Sequence, residues 1–164
     1  QEKFAERLDE NFQSHYVHEN EPGHHYVYLY DYAAQPWKTQ EKAREYATTK
    51  YRSGPGGLTG DEDCGQMSAW YIFSALGFYP VSPGSDEYAI GSPLFAKAYI
   101  RLSPSDPDKR FEIIAHNVSG ENMYIQSATL NGRPLLRPFL RHGDIIAGGS
   151  LVFEMGNQPN LQWK

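Results

Sequence analysis

Apolar and polar positions follow two different periods along the chain. Up to Gly77, apolar residues recur every three or four positions, as they do on one face of a helix. This spacing predicts a short amphipathic helix over residues 2–12, a helix that begins at Pro36 and runs to Tyr51, and a helix in the stretch Gly60–Gly77. The first half of the chain is therefore predicted to be helical.

The stretch between the first two helices leaves two structures open. Tyrosines at every second position, from Tyr26 to Tyr32, alternate with their neighbours as in a strand. Pro22, in contrast, could open a helix that continues to Ala34, because proline suits the first helical position. Periodicity alone does not decide between strand and helix here.

After Tyr79-Pro80 the pattern changes to short runs of β-branched and aromatic residues, separated by Gly, Pro, Asn and Ser. The pair Asn131-Gly132 predicts a tight hairpin turn, and Pro134 restricts the next strand to a sheet edge. We therefore predict an α+β fold, with a helical segment over residues 1–79 and a small antiparallel β-rich unit over residues 80–164. The predicted strands are 88–90, 97–102, 111–115, 124–130 and 150–154.

The stretch Gly60–Gly77 also concentrates acidic side chains. Asp61 is predicted to be the N-cap of its helix, with Glu62 and Asp63 in the first turn. The apolar residues that follow predict a helix buried on most sides, which is a rigid support for a catalytic carboxylate. The helix dipole lowers the pKa of such acids and favours an ionised base. First-turn acids also serve as simple caps, and this stretch alone leaves both interpretations open.

Composition narrows the classes of function. A formal net charge of −5 and the absence of a Lys/Arg run argue against binding to nucleic acid or to an anionic membrane surface. No apolar run approaches the roughly 20 residues that span a bilayer. The single cysteine, Cys64, excludes an internal disulfide, and its apolar neighbours predict a buried thiol. An aromatic content of 14% suits a carbohydrate ligand, although aromatic side chains pack equally well in cores.

A second polar cluster precedes the tyrosine-rich stretch. Its histidines do not have the spacing of a standard zinc site, and they are equally explained as polar helix-start residues or buried imidazoles. Calcium and magnesium prefer oxygen ligands, but the EF-hand pattern is absent, so such a site would combine distant segments. The residues concerned are His18, His24 and His25 for zinc, and Asn20, Glu21, Asp61 and Asp63 for calcium or magnesium.

Paired carboxylates also suggest glycoside hydrolysis, which needs one protonated and one ionised carboxyl group. Asp61 and Asp63 are too close in sequence, and too alike in environment, to fill both roles. One of them could activate water. The acid would then come from another part of the protein.

Several long motifs in the chain are specific enough to identify a family. They are Asn20–His25, Tyr28–Tyr30, Gln35–Gln40, Gly60–Trp70, Phe73–Pro80, Tyr88–Phe95 and Tyr124–Gly132. In collinear order they resemble glycoside hydrolase family 92, the calcium-dependent exo-acting α-mannosidases. The resemblance implies inverting hydrolysis in an (α/α)6 barrel. Residues 1–79 would then be the last barrel helices, and residues 80–164 a small terminal sheet.

The resemblance also implies roles for both polar clusters. An aspartate pair activates water in this family, and Asp61 and Asp63 match that pair, with Asp63 ranked first as the base. Ca²⁺ binds sugar hydroxyls and helps to distort the mannose, and Asn20 and Glu21 are expected to contact the calcium or the sugar. The implied substrate-binding residues are Asn20, Glu21, His24, His25, Gln66 and Trp70.

Two departures from the family pattern matter. The segment that carries the general acid, and the β-sandwich before it, have no counterpart in this sequence. We therefore expect the chain to be the C-terminal part of a larger periplasmic or secreted enzyme, inactive alone, whose partners are mannose-containing glycans and the remaining N-terminal part. Exposed helix faces would lead the chain to self-associate. In addition, the segment between Phe12 and Tyr16 is short, and Glu19 replaces a common glycine.

Two other classes of function compete with this hypothesis. In the first, the chain is a non-catalytic carbohydrate-binding or interaction module. Tyr99, Tyr124 and Phe139 would then form an exposed aromatic platform, and the acids would only cap a helix. In the second, the chain is a structural remnant with neither activity.

Overall fold

The computed structural model describes residues 1–164, with helices in the first half and mostly strands in the second. The helices are α1 (Glu2–Ser14), a 3₁₀ helix (Glu21–Tyr28), α2 (Leu29–Tyr32), α3 (Pro36–Thr49), α4 (Gln66–Leu76) and α5 (His142–Ala147). The strands are β1 (Phe78–Tyr79), β2 (Glu87–Ile90), β3 (Lys97–Arg101), β4 (Arg110–His116), β5 (Tyr124–Leu130), β6 (Arg133–Pro134), β7 (Phe139–Arg141) and β8 (Gly149–Gly156). The mixed α and β composition was predicted. The (α/α)6 barrel and the division near residue 79 stay predictions.

The tyrosine-rich stretch is helical, so of the two open structures the helix is correct. Pro22 lies in the first turn of the 3₁₀ helix, where its missing N–H leaves no hydrogen bond unmade. The short helix α2 continues directly and ends at Tyr32. Tyr28 and Tyr30 are buried, and their side chains anchor this irregular segment in the core.

The strands form two sheets. The smaller has the order β1-β2-β7, and the larger has the order β3-β4-β8-β5-β6. Every pair is antiparallel except β4 and β8, which run parallel with Ile113 opposite Leu151. The prediction of a purely antiparallel unit is therefore wrong at this pair. The chain reaches β8 through α5, and that connection inserts β8 between β4 and β5.

The predicted hairpin joins β5 to β6. Asn131 and Gly132 have φ values of 50° and 76°, the left-handed conformation of a two-residue hairpin turn. Thr129 pairs with Pro134, and β6 is an edge strand, as proline requires. The hairpin prediction is confirmed.

Helix α3 links the helical core to the sheet core. The buried guanidinium of Arg44 donates to the Ser92 hydroxyl, to the carbonyl of Pro93 and to the carbonyl of Ser119. The Gln40 side-chain oxygen accepts from the backbone N–H of Ile125 in β5. Polar groups of one helix therefore hold the two halves together.

The predicted aromatic platform is wrong. Tyr99 is 54% exposed on the larger sheet, but Tyr124 is only 8% exposed and its hydroxyl donates to Glu41. Phe139 lies in the smaller sheet, where its ring contacts Tyr32. The three rings therefore do not share a surface. None of the helices combines the length and the apolarity needed to cross a membrane.

Candidate active site

Helix α4 begins later than the sequence predicts. Its first residue is Gln66 and its N-cap is Gly65, so Asp61 is not the cap. The preceding residues Asp63, Cys64 and Gly65 have φ values of 48°, 57° and 93°. Three successive left-handed residues cannot continue a right-handed helix. Cys64 is also exposed, which contradicts the predicted burial. Gly77 ends the helix in the left-handed conformation, as predicted.

Glu62 is the acid that stabilises the start of α4. Its carboxylate accepts from the backbone N–H of Ser68 at 3.1 Å and from the Ser68 hydroxyl at 3.0 Å. Its carbonyl oxygen accepts from the N–H groups of Gly65 and Met67. Because Glu62 supplies the capping contacts, the exposed carboxylates of Asp61 and Asp63 are not needed for that purpose.

The left-handed turn before α4 carries strain. A residue with a Cβ costs roughly 1–3 kcal/mol in this conformation, and Cys64 is not among the types that tolerate it. Such residues persist only where the surroundings hold them, and they cluster at functional sites. The strain therefore supports the hypothesis that the segment Gly60–Gln66, called the acidic turn below, has a function beyond starting a helix.

The acidic turn packs against the second polar cluster. A Cβ atom at Gly60 would lie 2.8 Å from the Cβ of Glu19, and Gly60 has a φ of +75°. Only glycine allows this close approach without displacement of the neighbouring backbone. Glu19 is itself held by an ion pair with Lys50 at 2.9 Å. The two segments that the sequence selected independently are thus neighbours.

His24 joins these two segments. Its Nε2 bonds to the carbonyl of His18 at 2.9 Å, and its Nδ1 lies 3.2 Å from the Gln66 side-chain nitrogen. Its own carbonyl accepts from the indole N–H of Trp70 at 3.1 Å. Burial lowers the pKa of His24, and the nearby negative charges of Glu21 and Asp63 partly oppose that shift. Carboxylates from both segments therefore lie within electrostatic reach of one imidazole.

Behind His24, a second histidine is enclosed by aromatic rings. His18 is 1% exposed and bonds to the hydroxyls of Tyr16 at 2.8 Å and Tyr51 at 2.9 Å. Its ring stacks on Tyr46 and meets Trp70 edge-on. Burial lowers the pKa of His18 to about 3, so its ring is neutral at physiological pH. The sequence suggested His18 only as an improbable zinc ligand and gave no indication of this support.

The predicted substrate-binding residues are only partly brought together. One cavity of about 280 Å³, called the histidine cavity below, is lined by Glu21, His24, His25 and Gln66, and also by Phe73, Tyr79 and a proline-rich segment. Asn20 and Asp61 line two other cavities, and Trp70 is fully buried. Trp70 therefore supports the site without contacting a ligand. Tyr79 was not predictable as a site residue, because its position in the cavity depends on the tertiary structure.

The residues of this chain do not form a calcium site by themselves. Calcium takes six to eight oxygen ligands. The expected ligands Asn20 and Glu21 line different cavities, and no three acidic, histidine or cysteine side chains converge as they would around a metal. Of the two expected ligands, only Glu21 lines the histidine cavity.

Comparisons with known proteins find glycosidases. The chain is 30% identical over 159 residues to an uncharacterised secreted glycosidase of Arthroderma benhamiae. The alignment covers 96% of this chain and 20% of that protein. It matches the structure of the family GH92 α-mannosidase BT3965 of Bacteroides thetaiotaomicron with a TM-score of 0.91 and 41% identity. That match covers 99% of this chain and 22% of the other.

A second solved structure extends the agreement. The inverting family GH92 mannosidase BT2199 of Bacteroides thetaiotaomicron aligns with a TM-score of 0.83 and 46% identity, over 96% of this chain and 20% of that one. The chain thus spans about a fifth of the length of these relatives. Residues 1–157 match the glycosyl hydrolase family 92 catalytic domain, and the chain belongs to that family.

Proposed function

We propose that this chain contributes the water-activating side of an α-mannosidase active site, with Asp63 as general base and Asp61 assisting it. One observation carries the proposal. The bonds of His24 to His18 and Gln66 join the cluster that holds Glu21 to the acidic turn that holds Asp63. Two segments that the family resemblance marks as functional therefore meet around one buried residue.

The chemistry follows from the demands of inversion. A carboxylate removes a proton from water while that water attacks the anomeric carbon, and an acid on the opposite side protonates the leaving oxygen. The two carboxyl groups stand roughly 6.5–9.5 Å apart in inverting enzymes. Asp61 and Asp63 are two residues apart in one turn, which is too close in sequence for them to act from opposite sides of a sugar. We therefore propose that the general acid comes from a segment outside these 164 residues.

Calcium remains a proposed cofactor of the longer enzyme. Within this chain Glu21 is the expected ligand that faces the histidine cavity, and Asn20 faces a neighbouring one. A complete site would need oxygen ligands from elsewhere.

The proposed substrates are mannose-containing glycans with a terminal α-mannoside, because the solved relatives are named as mannosidases. Export to the periplasm or the medium is proposed from the secreted relative. Self-association of the chain stays a prediction. It is motivated by apolar side chains such as Ile72 of α4, which is 57% exposed.

A chimera tests the proposal. Residues 1–164 would replace the matching segment of BT3965, and release of mannose from 4-nitrophenyl α-mannoside with calcium would be measured. We expect turnover by the chimera and none by the 164-residue chain alone. Turnover by the chain alone would contradict the proposed missing acid, and a folded but inactive chimera would contradict the proposed catalytic role.

A further inference from the structure

We infer that the histidine cavity selects ligands by hydrogen-bond polarity: Gln66 offers a ligand its carbonyl oxygen and no free N–H, and Tyr79 offers its hydroxyl hydrogen. The backbone carbonyl of His18 and the ring of His24 determine the orientation of both groups through a series of hydrogen bonds. His18 and His24 are therefore positioning residues, and Gln66 and Tyr79 are the groups that a ligand meets. The inference depends on the proposed function only for the choice of mannose as the ligand.

This series of hydrogen bonds starts at the backbone carbonyl of His18. The His18 carbonyl can only accept, so His24 must carry its proton on Nε2, which lies 2.9 Å away. A proton on Nδ1 alone would leave two lone pairs facing each other at that distance. Because burial disfavours the charged ring, His24 is neutral and its Nδ1 bears a lone pair.

That lone pair fixes the amide of Gln66. The Gln66 nitrogen lies 3.2 Å from His24 Nδ1 and 2.8 Å from the Tyr79 hydroxyl oxygen, so its two hydrogens serve these two acceptors. Rotating the amide by half a turn would place its oxygen against the Nδ1 lone pair. The side-chain oxygen of Gln66 forms no hydrogen bond within the chain, and Gln66 lines the cavity. It is therefore the acceptor that Gln66 has available for a ligand.

The same bond fixes Tyr79. Its oxygen accepts from Gln66, which leaves its O–H free to donate. Tyr79 lines the cavity, and burial raises the pKa of its hydroxyl, which therefore stays protonated at neutral pH. One wall of the cavity thus carries an acceptor from Gln66 beside a donor from Tyr79.

This pair suits a small polyhydroxylated ligand. The cavity of about 280 Å³ is near the lower end of ligand pockets, roughly 300–1,000 Å³, and has room for one compact ring. Phe73 and Pro83 supply apolar wall on which the C–H groups of a sugar can rest. One hydroxyl of that ring would donate to Gln66, and another oxygen would accept from Tyr79.

The protonation state of His24 tests the polarity without any ligand. In the ¹⁵N NMR spectrum of the 164-residue chain at neutral pH, we expect His24 to be protonated on Nε2 and bare on Nδ1, with His24→Gln used to assign the signal. Gln66→Glu would place a carboxylate opposite Nδ1 and draw a second proton onto the ring. The control Gln162→Glu changes an exposed glutamine and should leave His24 unaltered. A His24 ring protonated on Nδ1, or one that does not respond to Gln66→Glu, would overturn the inference.

A scan of sugar analogues tests the ligand. Methyl α-mannoside and its monodeoxy and monofluoro derivatives would be tested as competitive inhibitors of the chimera, with 4-nitrophenyl α-mannoside as the substrate and calcium present. At the hydroxyl that faces Gln66, fluorine cannot donate, so both replacements should weaken binding by about threefold to tenfold, the effect of one hydrogen bond. Gln66→Met should remove this sensitivity. Fluorine tolerated at every position would overturn the inference. Absence of mannoside binding, together with the expected His24 state, would contradict the proposed function of this chain while supporting the polarity.

Discussion

Two of the turns in this chain that contain successive left-handed residues are stabilised in different ways. In the hairpin between β5 and β6, Asn131 and Gly132 adopt this conformation at little cost, because asparagine and glycine tolerate it. In the acidic turn, the left-handed residues are Asp63, Cys64 and Gly65, and Cys64 is poorly suited to the conformation. Local preference suits both hairpin residues, and the Asn131 side-chain oxygen also accepts from the backbone N–H of Ser150 at 2.8 Å. In the acidic turn local preference opposes the conformation of Cys64, so the surroundings must hold it.

The two turns also differ in the tertiary contacts that their glycines make. Nothing lies within 4 Å of a Cβ placed on Gly132, whereas Gly60 packs directly against Glu19. Glu62 binds Ser68, and Gln66 binds His24, so both ends of the acidic turn are held by side chains. The hairpin serves the fold. The acidic turn stores strain where two exposed carboxylates lie, as functional sites commonly do.

The largest expected effect separates the two turns by activity. In the chimera, Asp63→Asn should lower turnover by about 10²- to 10⁴-fold, the usual contribution of a general base. Asparagine tolerates the left-handed conformation, so the free energy of unfolding should hardly change. The matched change in the hairpin, Asn131→Asp, should leave turnover unaltered. The measurements are kcat and thermal unfolding. If kcat of the Asp63→Asn chimera were within tenfold of the parent chimera, Asp63 would not be the general base.

The second largest effect is expected in the pH dependence of stability, through His18 behind the candidate site. The pKa of His18 is about 3 in the folded chain and about 6.5 when unfolded, so the unfolded state binds more protons between these values. The titration of His18 therefore costs no stability above pH 6.5. Below that pH the free energy of unfolding falls by roughly 1.4 kcal/mol per pH unit, or roughly 3 kcal/mol by pH 4.

Urea unfolding at several pH values would measure this slope. His18→Phe removes this titrating ring and should reduce the slope, whatever its effect on absolute stability. Part of the slope should stay, because burial also lowers the pKa values of His24 and His25. His116→Gln changes an exposed histidine of β4 and should leave the slope unaltered. Equal slopes in the parent and in His18→Phe would show that His18 is not buried in the neutral form.

A pair of glycine substitutions sharpens the comparison further. Gly132→Ala meets open space, so it should cost only the left-handed penalty of about 1–2 kcal/mol and leave the chimera active. Gly60→Ala carries the same penalty and also presses on Glu19 at 2.8 Å, so it should cost more and lower turnover. Equal losses of stability with unchanged turnover would indicate that the contact between Gly60 and Glu19 has no role in the site.

The smallest expected effect is a gain. Cys64→Gly relieves the left-handed strain of the acidic turn, and after the extra flexibility of an unfolded glycine is counted it should stabilise the chain by up to about 1 kcal/mol. Asn131→Gly, in the hairpin, should instead lower stability, because it removes the Asn131 side-chain oxygen that accepts from the backbone N–H of Ser150 at 2.8 Å. Midpoints of urea unfolding provide the comparison. A clear loss of stability in Cys64→Gly would show that the Cys64 side chain makes a contact that outweighs the strain.

Much of the fold was predictable because local preference determines it. Pro36 begins α3, and the turn at Asn131 and Gly132 joins the strands that flank it. The parallel pairing of β4 with β8 was not predictable in the same way, since it joins distant segments through α5. Sequence periodicity records which residues face a core but does not record which strands become neighbours.

The candidate site likewise contains residues that were predictable from the sequence and residues that were not. Composition and family motifs singled out Asp61, Asp63 and the cluster around His24. The late start of α4 was missed because an acid-rich stretch before apolar residues is typical of an N-cap, whereas tertiary contacts here impose a left-handed turn. The roles of His18 and Tyr79 depend on which atom faces which neighbour. No one-dimensional pattern records that orientation.

The most direct test of the claim that Asp63 activates water uses a nucleophile that needs no base. The Asp63→Asn chimera would be incubated with 4-nitrophenyl α-mannoside and sodium azide, and the product would be identified by NMR. The proposed mechanism predicts that azide restores turnover and yields β-mannosyl azide, since the attack comes from the face opposite the leaving group. No increase in turnover with azide, or formation of α-mannosyl azide, would contradict it.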